Sequence, residues 1–193
     1  IGFLNRIIID GLYVTDQQGK PMLQASRFSV KLDFIPLTRG EISISSAQLF
    51  GMQANLYKSS KNAKPNFQFV IDSLASKDTT TQTKPIRIAS IVLRHGAVKY
   101  DQLDLPQTRQ FSPAHLYLKD ISAHVIVSAL SKDSLNVKLK NLSVKERSGL
   151  QVKSFSSKLR ANANHAILED FKLELPNSKL VLHHARVNYR MRD

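Results

Sequence analysis

Val137-Lys-Leu-Lys-Asn-Leu-Ser-Val144 carries apolar side chains at 137, 139, 142 and 144: two pairs spaced by two, separated by a gap of three. A spacing of two is a strand with one buried face. A gap of three would send the second pair to the opposite face, because side chains alternate strictly. One extra residue at the gap, a β-bulge, restores the face and bends the strand. The same pattern occurs nine times in all. The other instances are Ile7-Ile9-Leu12-Val14, Leu23-Ala25-Phe28-Val30, Val30-Leu32-Ile35-Leu37, Ile42-Ile44-Ala47-Leu49, Ile86-Ile88-Ile91-Leu93, Leu116-Leu118-Ile121-Ala123, Ala166-Leu168-Phe171-Leu173 and Leu180-Leu182-Ala185-Val187. The chain therefore reads as long, bent strands, each offering one continuous apolar face. A sheet curled about such a face is suited to conduct acyl chains.

Punctuation between the patterns fits strands joined by turns. Asp16-Gln-Gln-Gly19-Lys-Pro21 and Thr38-Arg-Gly40 reverse the chain by composition, and Gly11 and Gly51 sit inside strand patterns as bulge or kink markers. Further turns are expected at 102–106, 131–134, Ser148-Gly149 and 176–178. One segment departs from the period of two: Phe67, Val70, Ile71 and Leu74 fall on one face of a short helix near residues 66–74, with Asn66 as N-cap after Pro65. This helix is expected to close the end of the sheet or plug its open side. Residues 75–84 offer no apolar residue beyond Ala75 to a core and read as a mobile loop. With no helix between later strands, pairing should be antiparallel and sequential. The spacing leaves a sandwich, a barrel and an open curved sheet all standing. The chain is expected to form a single segment, 1–193; any subdivision would fall between 1–74 and 85–193.

Composition narrows the chemistry. The 193 residues contain no cysteine, which removes disulfides, thiol catalysis and zinc–thiolate sites. No apolar run reaches the length of a membrane-spanning helix. The sequence opens at Ile1 in what already reads as a strand, so it is expected to be a piece of something larger. The net charge of +13 favours anionic partners. The basic residues alternate with apolar ones along strands, however, as in Phe171-Lys172-Leu173, and so read as a solvated outer face. Without tryptophan, and with five tyrosines, the chain lacks the stacking platforms of a single-strand nucleic-acid binder. The six histidines (95, 115, 124, 165, 183 and 184) show no metal-ligand spacing and read as polar strand edges. Neither Asp101 with Asp104 nor Glu169 with Asp170 has the converging geometry of a catalytic carboxylate pair. No P-loop or nucleophile motif is present. No enzyme activity, cofactor or metal is expected.

Three stretches carry a resemblance. They are Ile7 to Asp16, Pro21 to Leu37 and Gly40 to Gly51. Together they resemble the amino-terminal part of AsmA-like proteins, and Pro65 to Val70 is similar to the short helix those proteins carry after their first strands. Asn141 to Val152 and Leu173 to Leu180 resemble the TamB branch of Bacteroidetes-type bacteria. The resemblance implies a mainly β fold: a long, bent, antiparallel sheet curled into an elongated, taco-like groove, polar outside and apolar within. It implies a periplasmic protein, anchored to the inner membrane in its full-length form, that shields and conducts phospholipid acyl chains between the inner and outer membranes and supports outer-membrane biogenesis. An outer-membrane assembly partner would be met through a carboxy-terminal region missing here. The alternative function is a scaffold that assists outer-membrane protein assembly by edge-strand pairing. The residues expected to line the groove are Ile42, Ile44, Ile86, Ile88, Ile91, Leu93, Leu116, Leu118, Val137 and Leu139. One pattern spans roughly 25 Å at about 3.3 Å per residue, long enough to lie along an acyl chain.

Overall fold

A computed structural model describes residues 5–33, 43–75, 87–108, 110–130 and 134–189. The strands are β1 (Arg6–Thr15), β2 (Pro21–Leu32), β3 (Ser43–Phe50), β4 (Gln53–Lys58), β5 (Arg87–Ile88), β6 (Ser90–Gln102), β7 (His115–Leu130), β8 (Ser134–Glu146), β9 (Gln151–Asn162), β10 (His165–Glu174) and β11 (Lys179–Asn188); the apolar patterns fall on all of them except β4 and β9. The one helix among the described residues, α1, spans Gln68–Ala75. All eleven strands join a single curled sheet, mainly antiparallel. Both β3 and β4 pair with β2, and β5 and β6 continue one another beside them, so the eleven strands form nine rows.

The order is not purely sequential and antiparallel. Strand β6 runs parallel to both β3 and β4. A parallel return needs a crossover of a dozen or more residues, and residues 59–86, which include α1, supply it. The helix thus belongs to a connection that carries the chain back to the start of the next row. Apolar alternation is the same in parallel and antiparallel neighbours, so the pattern alone carries no sign of this.

Asn66 is not the N-cap expected of it. Its side-chain Oδ1 accepts the Tyr57 N–H at 3.0 Å, and its Nδ2 donates to the Asn55 carbonyl at 3.0 Å. Asn66 therefore satisfies the edge of β4 past the point where β2 ends, since β2 pairs with β4 only at Leu23 and Gln24. The expected turns at 16–21, 102–106, 148–149 and 176–178 are present. Those at 38–40 and 131–133, and the 76–84 part of the expected loop, lie outside the described residues.

Buried carboxylates pin the turns at one end of the sheet. Asp16 accepts the Gln18 and Lys20 N–H groups, each at 2.9 Å, and the Tyr57 hydroxyl at 2.7 Å, tying the β1–β2 turn to β4. Glu146 accepts the Tyr117 N–H at 3.2 Å and the Ser148 N–H at 2.6 Å, holding the β8–β9 turn against β7. His115 is buried, contrary to its reading as a polar strand edge. Its Nδ1 lies 2.9 Å from Asp101 and its Nε2 lies 3.0 Å from the Leu105 carbonyl. This pair closes the loop between β6 and β7, whose ends meet at Asp101 and His115.

Candidate functional site

The gaps in the pattern hold the bends. Gly11 (φ 70°), Asp120 (φ 54°) and Asp170 (φ 51°) each occupy the second gap position of a pattern in the left-handed region. Glycine takes that conformation freely, and aspartate and histidine take it more readily than most residues. Register shifts mark bulges at the gaps of β3, β7, β8 and β10. In the β1–β2 and β10–β11 hairpins the two gaps face one another, so both strands bend together without losing register there.

These bends line up across the sheet. Gly11 lies opposite Ser26, and Ser26 stands against Gly51 (φ 60°) at the β3–β4 break. The Gly51 N–H donates to Arg94 O at 3.0 Å, beside His95 (φ 54°), and a step further the β6–β7 register shifts around Gly96 and Asp120. At β8 the line steps sideways and continues through Lys140, Ser157, Asp170 and His183. Within each of the two runs of rows, β1 to β7 and β8 to β11, the strands bend at one level, so the sheet is creased along lines that cross the strands. The trough therefore runs across the strands, not along one of them as the 25 Å estimate for a single pattern assumed.

One face of the creased sheet is apolar. Cross-strand partners match apolar residue to apolar residue through every row: Ile9 with Phe28, Phe28 with Leu49, Leu49 with Leu93, Leu93 with Ala123, Ala123 with Leu142, Leu142 with Phe155, Phe155 with Leu173, and Leu173 with Leu180. Phe155 and Phe171 stack with ring centroids 5.1 Å apart. At the crease itself the side chains crowd together, and Ile121 is only 7% exposed. Away from it the face opens: Ile88 and Ile91 are 36% and 37% exposed, and Val187, on the last row, 62%. No large side chain among the described residues is fully buried, although Ala25 and Val30 on this face are 4% and 8% exposed.

The other face is mainly polar, with Ile8, Tyr13 and Val181 among its exposed exceptions. Asp10 pairs with Arg27 at 2.7 Å, Asp120 with Lys145 at 2.9 Å and Asp170 with Lys158 at 2.6 Å, all on the surface. Exposed pairs such as these contribute only about 0–1 kcal/mol each; their role is to keep the bend residues facing water. Lysines 99, 119, 138 and 172 share that exposed face.

Of the residues expected to line the groove, Ile44, Ile88, Ile91, Leu93, Leu116, Leu118, Val137 and Leu139 lie together on the apolar face. Ile42 and Ile86 lie outside the described residues. The sequence reading missed a further pattern on β6, Ile91-Leu93-Gly96-Val98. Gly96 is buried where an apolar side chain was sought; a Cβ there would stand 3.1 Å from the Leu93 side chain. The positive φ of His95 inside this strand marks its gap.

A cavity of about 500 Å3 is lined mostly from the polar face, by Gln53, Asn55, Lys99, Asp101, Tyr117 and Arg147. Lys99 is held by Asp101 at 3.0 Å, and both His115 nitrogens are occupied, so neither is presented to a substrate. Among the described residues no three histidine or acidic side chains converge to hold a metal, and no helix is long and apolar enough to cross a membrane. No family model matches the chain, and no curated protein matches it.

Proposed function

We propose that this chain is a segment of a periplasmic β-groove of the AsmA-like, TamB kind. In this reading it shields phospholipid acyl chains and conducts them between inner and outer membranes, in support of outer-membrane biogenesis. The observation that carries the reading is the half-exposed apolar face, which runs through all nine rows with polar residues behind it. At about 4.8 Å per row the trough is about 38 Å long. Each methylene withdrawn from water contributes about 0.8 kcal/mol, so an acyl chain is held by area without a polar site. Headgroups, too polar for the trough, would stay in water at its open side. No catalytic step is invoked. Membrane anchoring and an outer-membrane partner belong to the full-length protein in this proposal.

A second reading, a scaffold that pairs its edges with nascent outer-membrane strands, draws on the unpaired edges of β1 and β11. Transfer of a fluorescent phospholipid between vesicles separates the two. The groove reading expects the chain to accelerate transfer and the Ile88→Glu/Ile91→Glu variant to lose that effect while keeping its circular dichroism. Transfer by the double variant at the unaltered rate would sink the groove reading at these positions.

A further inference from the structure

Both edges of the sheet are ten-residue strands with three consecutive exposed apolar residues: Ile7, Ile8 and Ile9 on β1, and Leu180, Val181 and Leu182 on β11. Apolar side chains on both faces of an open edge favour strand pairing, and natural edges normally carry charge or proline to prevent it. Among the described residues β1 pairs only with β2, and β11 only with β10.

We propose that β1 of one copy pairs antiparallel with β11 of a second copy, extending the sheet and its trough head to tail. Three features of the two strands are consistent with this. The first is direction. From β1 to β11 the chain reverses at β1/β2, β2/β4 and at each of the five steps from β6 to β11, while β4/β6 is parallel. Seven reversals leave β11 antiparallel to β1. Without the parallel step the two edges would run the same way.

The second is hydrogen-bond phase. Leu32 N donates to Asn5 O at 2.7 Å, so Asn5, Ile7 and Ile9 turn their backbone groups toward β2, and Arg6, Ile8 and Asp10 turn theirs outward. Tyr189 N donates to Asn164 O at 3.0 Å, so Asn188, Arg186 and His184 turn theirs outward on β11. Outward groups meet outward groups when Arg6 faces Asn188, Ile8 faces Arg186 and Asp10 faces His184.

The third is side-chain register. The same alignment sets Ile7 against Val187, Ile9 against Ala185, Leu12 against Leu182 and Val14 against Leu180, and it places the two pattern gaps opposite each other, as in the β1–β2 and β10–β11 hairpins. It brings no like charges together. A slip of two residues in one direction puts Arg6 on Arg186 and Ile9 on His183. The slip in the other direction puts Leu12 on His184. Like charges directly opposite, or a polar residue on the apolar face, disfavour both slips. Because the joined surfaces differ, the contact is heterologous and does not close on itself.

Sedimentation velocity over a wide concentration series tests this. The chain should grow from monomer past dimer as concentration rises. Ile8→Pro removes an outward N–H that makes no bond within the copy; it should leave the monomer's circular dichroism and unfolding midpoint in place and abolish growth. The chain lacks cysteine, so register can be read directly. A mixture of Ile7→Cys and Val187→Cys chains should form a disulfide-linked dimer, whereas Ile7→Cys with Ala185→Cys should not. A chain that stays monomeric throughout overturns the proposal. So does growth that survives Ile8→Pro, or linkage equal in both mixtures. Lipid transfer by a monomeric Ile8→Pro chain would leave the groove reading standing, so the two can fail separately.

Discussion

Gly51 and Ser26 meet where the crease passes from β2 to the β3–β4 row, and no Cβ fits between them. A Cβ at Gly51 would overlap the Ser26 Oγ and lie 3.2 Å from its Cβ. Gly11, one row away with a similar positive φ, has open space at the same position. Gly11→Ala should therefore cost only the left-handed backbone term, about 1–2 kcal/mol. Gly51→Ala should cost more, and adding Ser26→Ala should recover much of the difference. Urea unfolding of the three variants checks the order; equal losses at both glycines would mean that Ser26 does not crowd Gly51.

At Asp120 the backbone conformation and the ion pair make separable contributions. The residue is left-handed and its carboxylate meets Lys145 at 2.9 Å in full exposure. Asp120→Asn keeps a side chain tolerant of that φ and should lie within about 0.5 kcal/mol of the unaltered chain. Asp120→Val forces a β-branched side chain into it and should cost about 1–3 kcal/mol. Denaturant midpoints distinguish the two, and raising the salt should move the unaltered chain no more than the Asp120→Asn variant, because the pair itself contributes little.

Three pinned carboxylates make the turn end acid-sensitive. Asp16 is held below the ordinary carboxylate range chiefly by the Tyr57 hydroxyl, with burial opposing and the Lys20 and Gln18 amides adding to the shift. Asp101 is also lowered: burial works against the shift, and the bonds from His115 and Lys99 outweigh it. For Glu146 burial is again outweighed, here by hydrogen bonds from Ser148, Tyr117 and Arg147. A carboxyl with a lowered folded pKa binds its proton more readily when unfolded. Its stabilisation is therefore complete above the unfolded values, about 3.9 for Asp and 4.3 for Glu, and is lost as pH falls through the lower folded ones. The carboxylates' contribution should hold from neutral pH to about 4.5 and decline below it, on top of an earlier loss through the ordinary histidine range from His124, whose pKa is lowered chiefly by burial. Asp16→Asn should make the acid decline shallower, and an unchanged acid slope would remove Asp16 from this account.

The legible part of the fold was the part written in a local period. Ile7 to Val14 or Leu116 to Ala123 reveals its face and its bend without any partner, because alternation and the gap are properties of one strand. Which row lies beside which is set by the length and path of connections, and the crossover that makes β6 parallel to β4 leaves no trace in either strand's pattern. Gly96 hid a crease position by having no side chain to count. His115 looked like any polar strand residue because the groups that bury it, Asp101 and the Leu105 carbonyl, are gathered by a loop that must first fold back.

The His115–Asp101 contact has the look of a catalytic dyad, and its geometry gives it a structural role instead. Both ring nitrogens point at groups that only accept, a carboxylate and a backbone carbonyl, so neither is open to a substrate. His115→Phe keeps bulk but removes the ring's contacts with Asp101 and the Leu105 carbonyl, leaving Asp101 with Lys99, and should cost about 1–3 kcal/mol in all. Phospholipid transfer by the folded variant should match that of the unaltered chain. A variant that keeps its stability but loses transfer would assign His115 a direct part in the function.

The direction of the trough can be read from how charge on different rows affects acyl-chain binding. Ile91 on β6 and Val137 on β8 belong to separate rows of the same face. If a bound chain lies along one strand, the rows act as separate sites, and one Glu substitution lowers the number of chains bound while the rest bind as before. A chain lying across the strands along the crease passes both residues, so Ile91→Glu and Val137→Glu should each weaken binding at unchanged stoichiometry. The expected loss is at least about tenfold for each, or about 1.4 kcal/mol, because an unpaired carboxylate is brought against hydrocarbon. The double variant should lose less than the product of the two, since a chain already excluded by one charge has little left to lose at the next. Titration with a fluorescent long-chain fatty acid reads affinity and stoichiometry together. A fall in stoichiometry at constant affinity would turn the track along the strands and leave the crease with a purely architectural role.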